Sequence, residues 1–177
     1  MGFSIVGYFD NNSERRIKKL WQGMADIEVC NYLINSNNNP HINFAIFNEI
    51  DKNNTIENIN LLCKKINKIK IHFKTYSFYP NDHPFICIDI AVSLPILNLH
   101  TEIQKITIEN SQNDSREYFE QVIWKPDCQL TIPFEKVKLI KAIDYLSNTE
   151  LPFDGILEKI GIIEYHPVKQ LFSNNLM

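Results

Sequence analysis

Apolar and polar positions alternate along most of this chain with two distinct periods. Gly2 to Phe9 is a run of β-branched and aromatic residues and predicts a strand. Asp10-Asn11-Asn12-Ser13 reads as a turn and helix cap. From Ser13 to Met24 the apolar positions Ile17, Leu20, Trp21 and Met24 fall on one helical face. Strands follow at His41–Phe47, Ile69–Phe78, Phe85–Val92, Cys128–Ile132, Gly155–Glu164 and Val168–Phe172. Helices are expected at Thr55–Asn67, Ile96–Ile108 and Glu135–Leu146. The last should bury Val137, Ile140, Ile143 and Leu146, and Ser111–Ser115 reads as a polar loop. Strands and helices mix without strict βαβ alternation. The fold class is therefore α+β, with largely antiparallel sheet and helices on its outer faces.

Two short segments match each other. Pro40-His41-Ile42-Asn43-Phe44-Ala45-Ile46 and Pro126-Asp127-Cys128-Gln129-Leu130-Thr131-Ile132 both run proline, polar, apolar, polar amide, apolar. Side chains alternate faces along a strand, so His41 pairs with Asn43 and Asp127 with Gln129. Each segment is followed by a helix and two strands, which sets an internal repeat of about 40–92 and 126–173. The expectation is one bilobal domain over 1–177, with two pseudo-symmetric lobes and a central cleft.

Composition narrows the function classes. Hydrophobic residues make up 44% and charged residues 22%, as in ordinary globular chains. A net charge of -3 disfavours general affinity for phosphate backbones, so duplex DNA is not an expected partner. Cys30, Cys63, Cys87 and Cys128 have no C-x-x-C spacing and read as buried, reduced thiols of a cytoplasmic protein. No signal peptide is evident, and no apolar run reaches membrane-spanning length. Glycine-rich phosphate loops, G-x-S-x-G and H-E-x-x-H are absent. His72 faces solvent or the groove and is a candidate auxiliary ligand, whereas His83, His166 and His100 read as structural.

These segments resemble the two-histidine (2H) phosphoesterase superfamily, which includes 2′-5′ RNA ligase-like proteins and cyclic nucleotide phosphodiesterases. Pro40-His41-Ile42 is similar to the family's first Pro-His-x-Thr/Ser strand. Leu99-His100 through Ile106 resembles the helix before the second motif. Trp124-Lys125-Pro126-Asp127-Cys128-Gln129-Leu130 resembles Trp-x-Pro-His-x-Thr-Leu. The likeness runs from about Phe3 to Leu171. It implies a cleft in which one imidazole takes a proton from the attacking oxygen and another protonates the leaving oxygen, while hydroxyls hold the phosphate.

The chain departs from that pattern at three of four positions. His41 is kept. Asn43 and Gln129 replace the hydroxyl residues and can still donate hydrogen bonds to phosphate oxygens. Asp127 replaces the second histidine. Ionised, it cannot act as an acid, and it repels a phosphate about 4 Å away by roughly 1 to 4 kcal/mol. Burial could keep it protonated, it could serve as the base with His41 as the acid, or it could hold a bridging cation. His41 and Asp127 alone are too few for a metal site, and no cofactor is expected. The resemblance thus implies catalytic roles for His41 and Asp127 and phosphate binding by Asn43 and Gln129. The expected protein is a monomer acting on a nucleotide or RNA terminus, by phosphodiester or 2′,3′-cyclic phosphate hydrolysis or by binding alone.

Overall fold

The chain is described as a computed structural model covering residues 2–112, 119, 123–165 and 168–177. The strands are β1 (Gly2–Phe9), β2 (His41–Phe47), β3 (Glu49–Ile50), β4 (Ile69–Tyr79), β5 (Phe85–Ile90), β6 (Ser111–Gln112), β7 (Asp127–Gln129), β8 (Phe153–Tyr165) and β9 (Lys169–Asn175). The helices are α1 (Asn11–Asp26), α2 (Tyr32–Asn35), α3 (Lys52–Cys63), α4 (Leu94–Asn110) and α5 (Leu139–Ser147), the last entered through a 3₁₀ turn at Lys136–Lys138. The first two residues of the expected loop at 111–115 form β6, which pairs with β3. Residues 113–115 and His166 lie outside the described residues.

Local chemistry explains where α1 begins. Asp10 Oδ1 accepts from the Asn12 and Ser13 backbone N–H groups at 2.9 and 3.0 Å, satisfying donors that have no partner inside the helix. Its other oxygen takes the Ser13 hydroxyl and the Ile156 N–H, both at 2.7 Å, and so ties the cap to β8. Burial alone would raise the Asp10 pKa, but the four donors outweigh it and hold the carboxyl below the usual carboxylate range. Ile17, Leu20, Trp21 and Met24 are buried, as the spacing predicts.

Seven strands form one antiparallel sheet in the order β1-β2-β7-β5-β4-β8-β9, and a β1–β8 pairing closes it on itself. The long β8 makes that closure possible. Its first residues pair with β4, from Phe73↔Phe153 to Ile69↔Leu157, and the rest pair with β1 through Gly2↔Tyr165. One half of the sheet is therefore β2, β1, the end of β8 and β9. The other half is β7, β5, β4 and the start of β8. On the opposite side the halves touch through a single pair, Ile42↔Cys128. Short as that ladder is, it sets the two matched strands side by side.

Helix α4 covers β2, α3 packs on β8, β9 and α4, and α1 lies against β1 and β8 with α5 beside it. Phe44, Phe47, Phe73, Ile5, Ile17, Ile42, Ile59, Ile88 and Leu99 are fully buried between sheet and helices. Gly23 of α1 has no side chain where the Tyr145 phenol of α5 sits, so the two helices approach closely. All four cysteines are buried and free. Among the described residues, no helix is long and apolar enough to cross a membrane.

The structure corrects the reading of α5. Leu146 is buried, but Val137 and Ile140 are 86% and 82% exposed and Ile143 is 45% exposed. The 3₁₀ entry turns three residues per turn and shifts the phase, so the inner face is Leu139, Ala142 and Leu146. Strand β7 is also shorter than expected and starts one residue earlier. Leu130 and Thr131 leave the ladder, both bonding to Ile86 O, while Thr131 Oγ1 accepts from Ile86 N at 2.9 Å.

Candidate functional site

The paired segments are neighbours. β2 and β7 run antiparallel through Ile42↔Cys128, a register that sets His41 beside Gln129 and Asn43 beside Asp127. Ile42, Phe44, Cys128 and Leu130 point into the core, and the four polar residues share the open face. His41, Asn43 and Gln129 line one cavity of about 190 Å³ together with Ser4, Trp21, Tyr32, Ile163 and Tyr165. Among the described residues, none that lines it is Lys, Arg, Asp or Glu. Asp127 does not line this cavity.

His41 is held by its own strand entry. Its Nδ1 lies 2.7 Å from the Asn39 carbonyl, which only accepts, so Nδ1 carries the proton and Nε2 is bare in the neutral ring. Tyr8, opposite on β1, meets the imidazole edge-on at 6.1 Å between centroids. Burial pushes the His41 pKa below the ordinary histidine value, against hydrogen bonds to the Asn39 carbonyl and the Asn43 side chain. The ring is therefore neutral near pH 7 and ready to accept a proton, not to give one.

Asn43 sits beside a bulge in the β1–β2 ladder, where the register slips between Ile5 and Val6. Ser4 Oγ, with one proton, donates to Asn43 Oδ1 at 2.7 Å or to Ala45 O at 2.9 Å. The first bond orients the amide oxygen and leaves its N–H₂ as the end available to a ligand. Two indoles fix the strands from the helix side. Trp124 Nε1 donates to Asn43 O and Trp21 Nε1 to Gln129 O, each at 3.0 Å. The two halves thus carry the same bond at the same motif position. Trp124 is in turn stacked on His100 of α4 at 4.0 Å and 2°. His100 is fully buried, and burial lowers its pKa to about 4, so it is a neutral packing ring.

Asp127 belongs to a second polar cluster on the other half of the sheet. It pairs in register with Asp89 on β5. Tyr79 Oη donates to Asp127 Oδ2 at 3.1 Å, and Lys125 Nζ is 3.6 Å from the same oxygen. Lys125 donates at 2.7 Å to Asp89 Oδ1 and at 3.0 Å to Ser77 Oγ, and Ser77 Oγ donates to Asp89 Oδ1 at 2.6 Å. Burial raises the Asp127 pKa; Lys125 and Tyr79 oppose that shift and Asp89 adds to it. Burial would lower the Lys125 pKa, but the bond to Asp89 and the charges of both aspartates outweigh it and raise it.

Sequence reasoning missed Lys125, Asp89 and Ser4. Lys125 stood inside the quoted Trp-x-Pro segment. Asp89 was visible as a lone charge in Ile86-Cys87-Ile88-Asp89-Ile90, and Ser4 as a lone hydroxyl in β1. His72 bonds through Nδ1 to Asp154 at 2.7 Å and lines a different cavity with Asp10 and Ser93. His83 lies in the β4–β5 loop, where its N–H bonds to Asn81 Oδ1 at 2.8 Å. Among the described residues no cluster of three or more His, Cys, Asp or Glu suits a metal ion.

No protein-family model matches the sequence, and no curated protein matches it. Solved structures do match over nearly its whole length. TT0787 of Thermus thermophilus superposes with a TM-score of 0.63 at 10% identity, covering 99% of this chain and 98% of that one. E. coli LigT complexed with 3′-AMP gives 0.61 at 9% identity, covering 99% and 97%. Kluyveromyces marxianus Usb1 gives 0.51 at 10% identity, covering 96% of each chain.

Proposed function

We propose that this chain, whose fold is that of the 2H phosphoesterase superfamily, binds a nucleotide or RNA end through its terminal phosphate and does so without two-histidine hydrolysis. The observation that carries the reading is the split of the four motif positions. His41, Asn43 and Gln129 share one cavity, uncharged among the described residues, while the Asp127 carboxylate is committed to Tyr79 and Lys125. The amides of Asn43 and Gln129 supply donors to phosphate oxygens. The bare Nε2 of His41 accepts from a ribose hydroxyl. Tyr32 and Tyr165 give the cavity aromatic walls suited to a base or sugar. LigT, of similar fold, is seen with 3′-AMP, which supports the ligand class.

Hydrolysis of a 2′,3′-cyclic phosphate needs a proton for the leaving ribose oxygen as well as a base for water. A positioned acid is worth roughly 10²–10⁴-fold in rate. His41, neutral and with its Nδ1 proton held by the Asn39 carbonyl, fills only the base role.

One observation favours a second reading, a slow hydrolase with Asp127 as the acid. Burial and Asp89 both raise the Asp127 pKa, the direction an acid requires. In that case activity would fall as pH rises through the Asp127 pKa and would be lost in Asp127→Asn.

The test is calorimetric titration with 3′-AMP and 2′,3′-cyclic AMP, alongside turnover of the cyclic compound. The expected result is binding by the wild type, weaker binding by Asn43→Ala, and equal, negligible turnover by wild type, His41→Ala and Asp127→Asn. Turnover that disappears in both His41→Ala and Asp127→Asn would replace binding by hydrolysis. Absence of binding by either nucleotide would remove the nucleotide reading.

A further inference from the structure

A second cavity of about 350 Å³ adjoins that of His41, and the two share Tyr32 and Ile132 as walls. The second cavity differs in chemistry. Among the described residues the first is lined by neutral groups, whereas the second has Glu28, Glu135 and Lys138 in its walls. Glu135 is partly neutralised by Lys138 at 3.8 Å. Glu28 makes no side-chain hydrogen bond or ion pair among the described residues.

We infer that this second cavity is a base subsite for an amino-bearing nucleobase, with Glu28 accepting from the exocyclic amine and Tyr32 stacking on the ring. This rests on the nucleotide reading above and deepens it. An ionised carboxylate only accepts hydrogen bonds, so it matches the N–H₂ of adenine, cytosine or guanine and disfavours a carbonyl at the same place. Carboxylates also repel phosphate. The polarity of the two adjacent cavities therefore sets the direction of the ligand: phosphate at Asn43 and Gln129, base at Glu28. Tyr32, the first residue of α2, lines both cavities and is 43% exposed, so it can offer a stacking face.

The backbone at Glu28 makes the inference testable without loss of fold. Glu28 has φ 58°, the left-handed region, in the turn that closes α1. There the Val29 and Cys30 N–H groups both reach Met24 O, at 2.9 and 3.2 Å. Glycine fits that turn better than glutamate does. The turn therefore gives no reason for a glutamate, and Glu28→Gly removes the carboxylate while easing the backbone.

The experiment is calorimetric titration with 3′-AMP and with inosine 3′-monophosphate, which keeps the purine shape but has a carbonyl in place of the amine. Wild-type protein should bind 3′-AMP about tenfold more tightly, the size of one hydrogen bond to a charged group. Glu28→Gly should close that gap with an unchanged or higher Tm. Glu28→Gln, with its backbone strain unchanged, should narrow it. Equal affinities in the wild type, or a gap that persists in both variants, would overturn the base subsite and leave phosphate binding at His41 standing. Failure of both nucleotides to bind would overturn the two together.

Discussion

At the scale of single residues, burial decides which groups carry charge. His100 is fully enclosed against Trp124, and its pKa falls to about 4 from the ordinary value near 6.5. A depressed histidine pKa means the folded state holds the proton less tightly than the unfolded chain. The stability tied to the neutral ring is complete above pH 6.5 and is lost as pH falls through about 4. The shift corresponds to something on the order of 3 kcal/mol. We expect His100→Phe, which preserves an aromatic face for Trp124, to flatten the acid limb of a Tm-against-pH curve between those values. An acid limb identical to the wild type would show that His100 does not titrate with folding. The same sign holds for His41. It is reversed for Asp127, whose raised pKa makes its contribution favourable in acid and lost as pH rises.

At the scale of elements, what the sequence made legible follows from the range of the interactions involved. Strand β2 was readable to the residue because Pro40 precedes it and His41 to Phe44 alternate, whereas α1 was readable in its buried face but runs Asn11–Asp26, beyond the Ser13–Met24 of the apolar spacing. Both signals are local. The face of α5 was misread because a 3₁₀ turn shifts the helical phase, and a stretch of apolar spacing does not announce that. The partners of Asp127 were illegible for another reason. Asp89, Ser77 and Tyr79 reach it only through the β5–β7 and β4–β5 pairings, which join segments distant in the chain. The corrected α5 face has a measurable consequence. Ile140→Ser should change unfolding free energy by no more than about 0.5 kcal/mol, as at other exposed sites. Leu146→Ala should cost about 2–5 kcal/mol. Denaturant titrations giving similar losses for the two would reinstate the helical phase read from spacing alone. On the motif strands, Trp21→Phe and Trp124→Phe should each lower the midpoint by the equivalent of about 1 kcal/mol or more, because each leaves a strand carbonyl without its indole donor.

At the scale of the whole molecule, the site follows from how the sheet closes. The long β8 joins the halves on one side, and the single Ile42↔Cys128 pair joins them on the other. That weak seam brings two matched strands together with their polar faces open. The fold is shared with LigT and Usb1 over nearly the full chain, at sequence identities of 9% and 10%. A likeness at that level carries architecture, and the chemistry must come from the residues present. Those residues offer one neutral imidazole and two amides in one cavity, with the Asp127 carboxylate, beside Asn43 on the same face, held by Tyr79 and Lys125. Imidazole nitrogen NMR read during a titration with 3′-AMP tests this most directly. The account predicts that free His41 has a protonated Nδ1 and a bare Nε2, and that the nucleotide shifts His41 Nε2 while His72 and His83 stay unmoved. An unmoved His41 at saturating nucleotide, or a His41 already protonated at neutral pH, would contradict it.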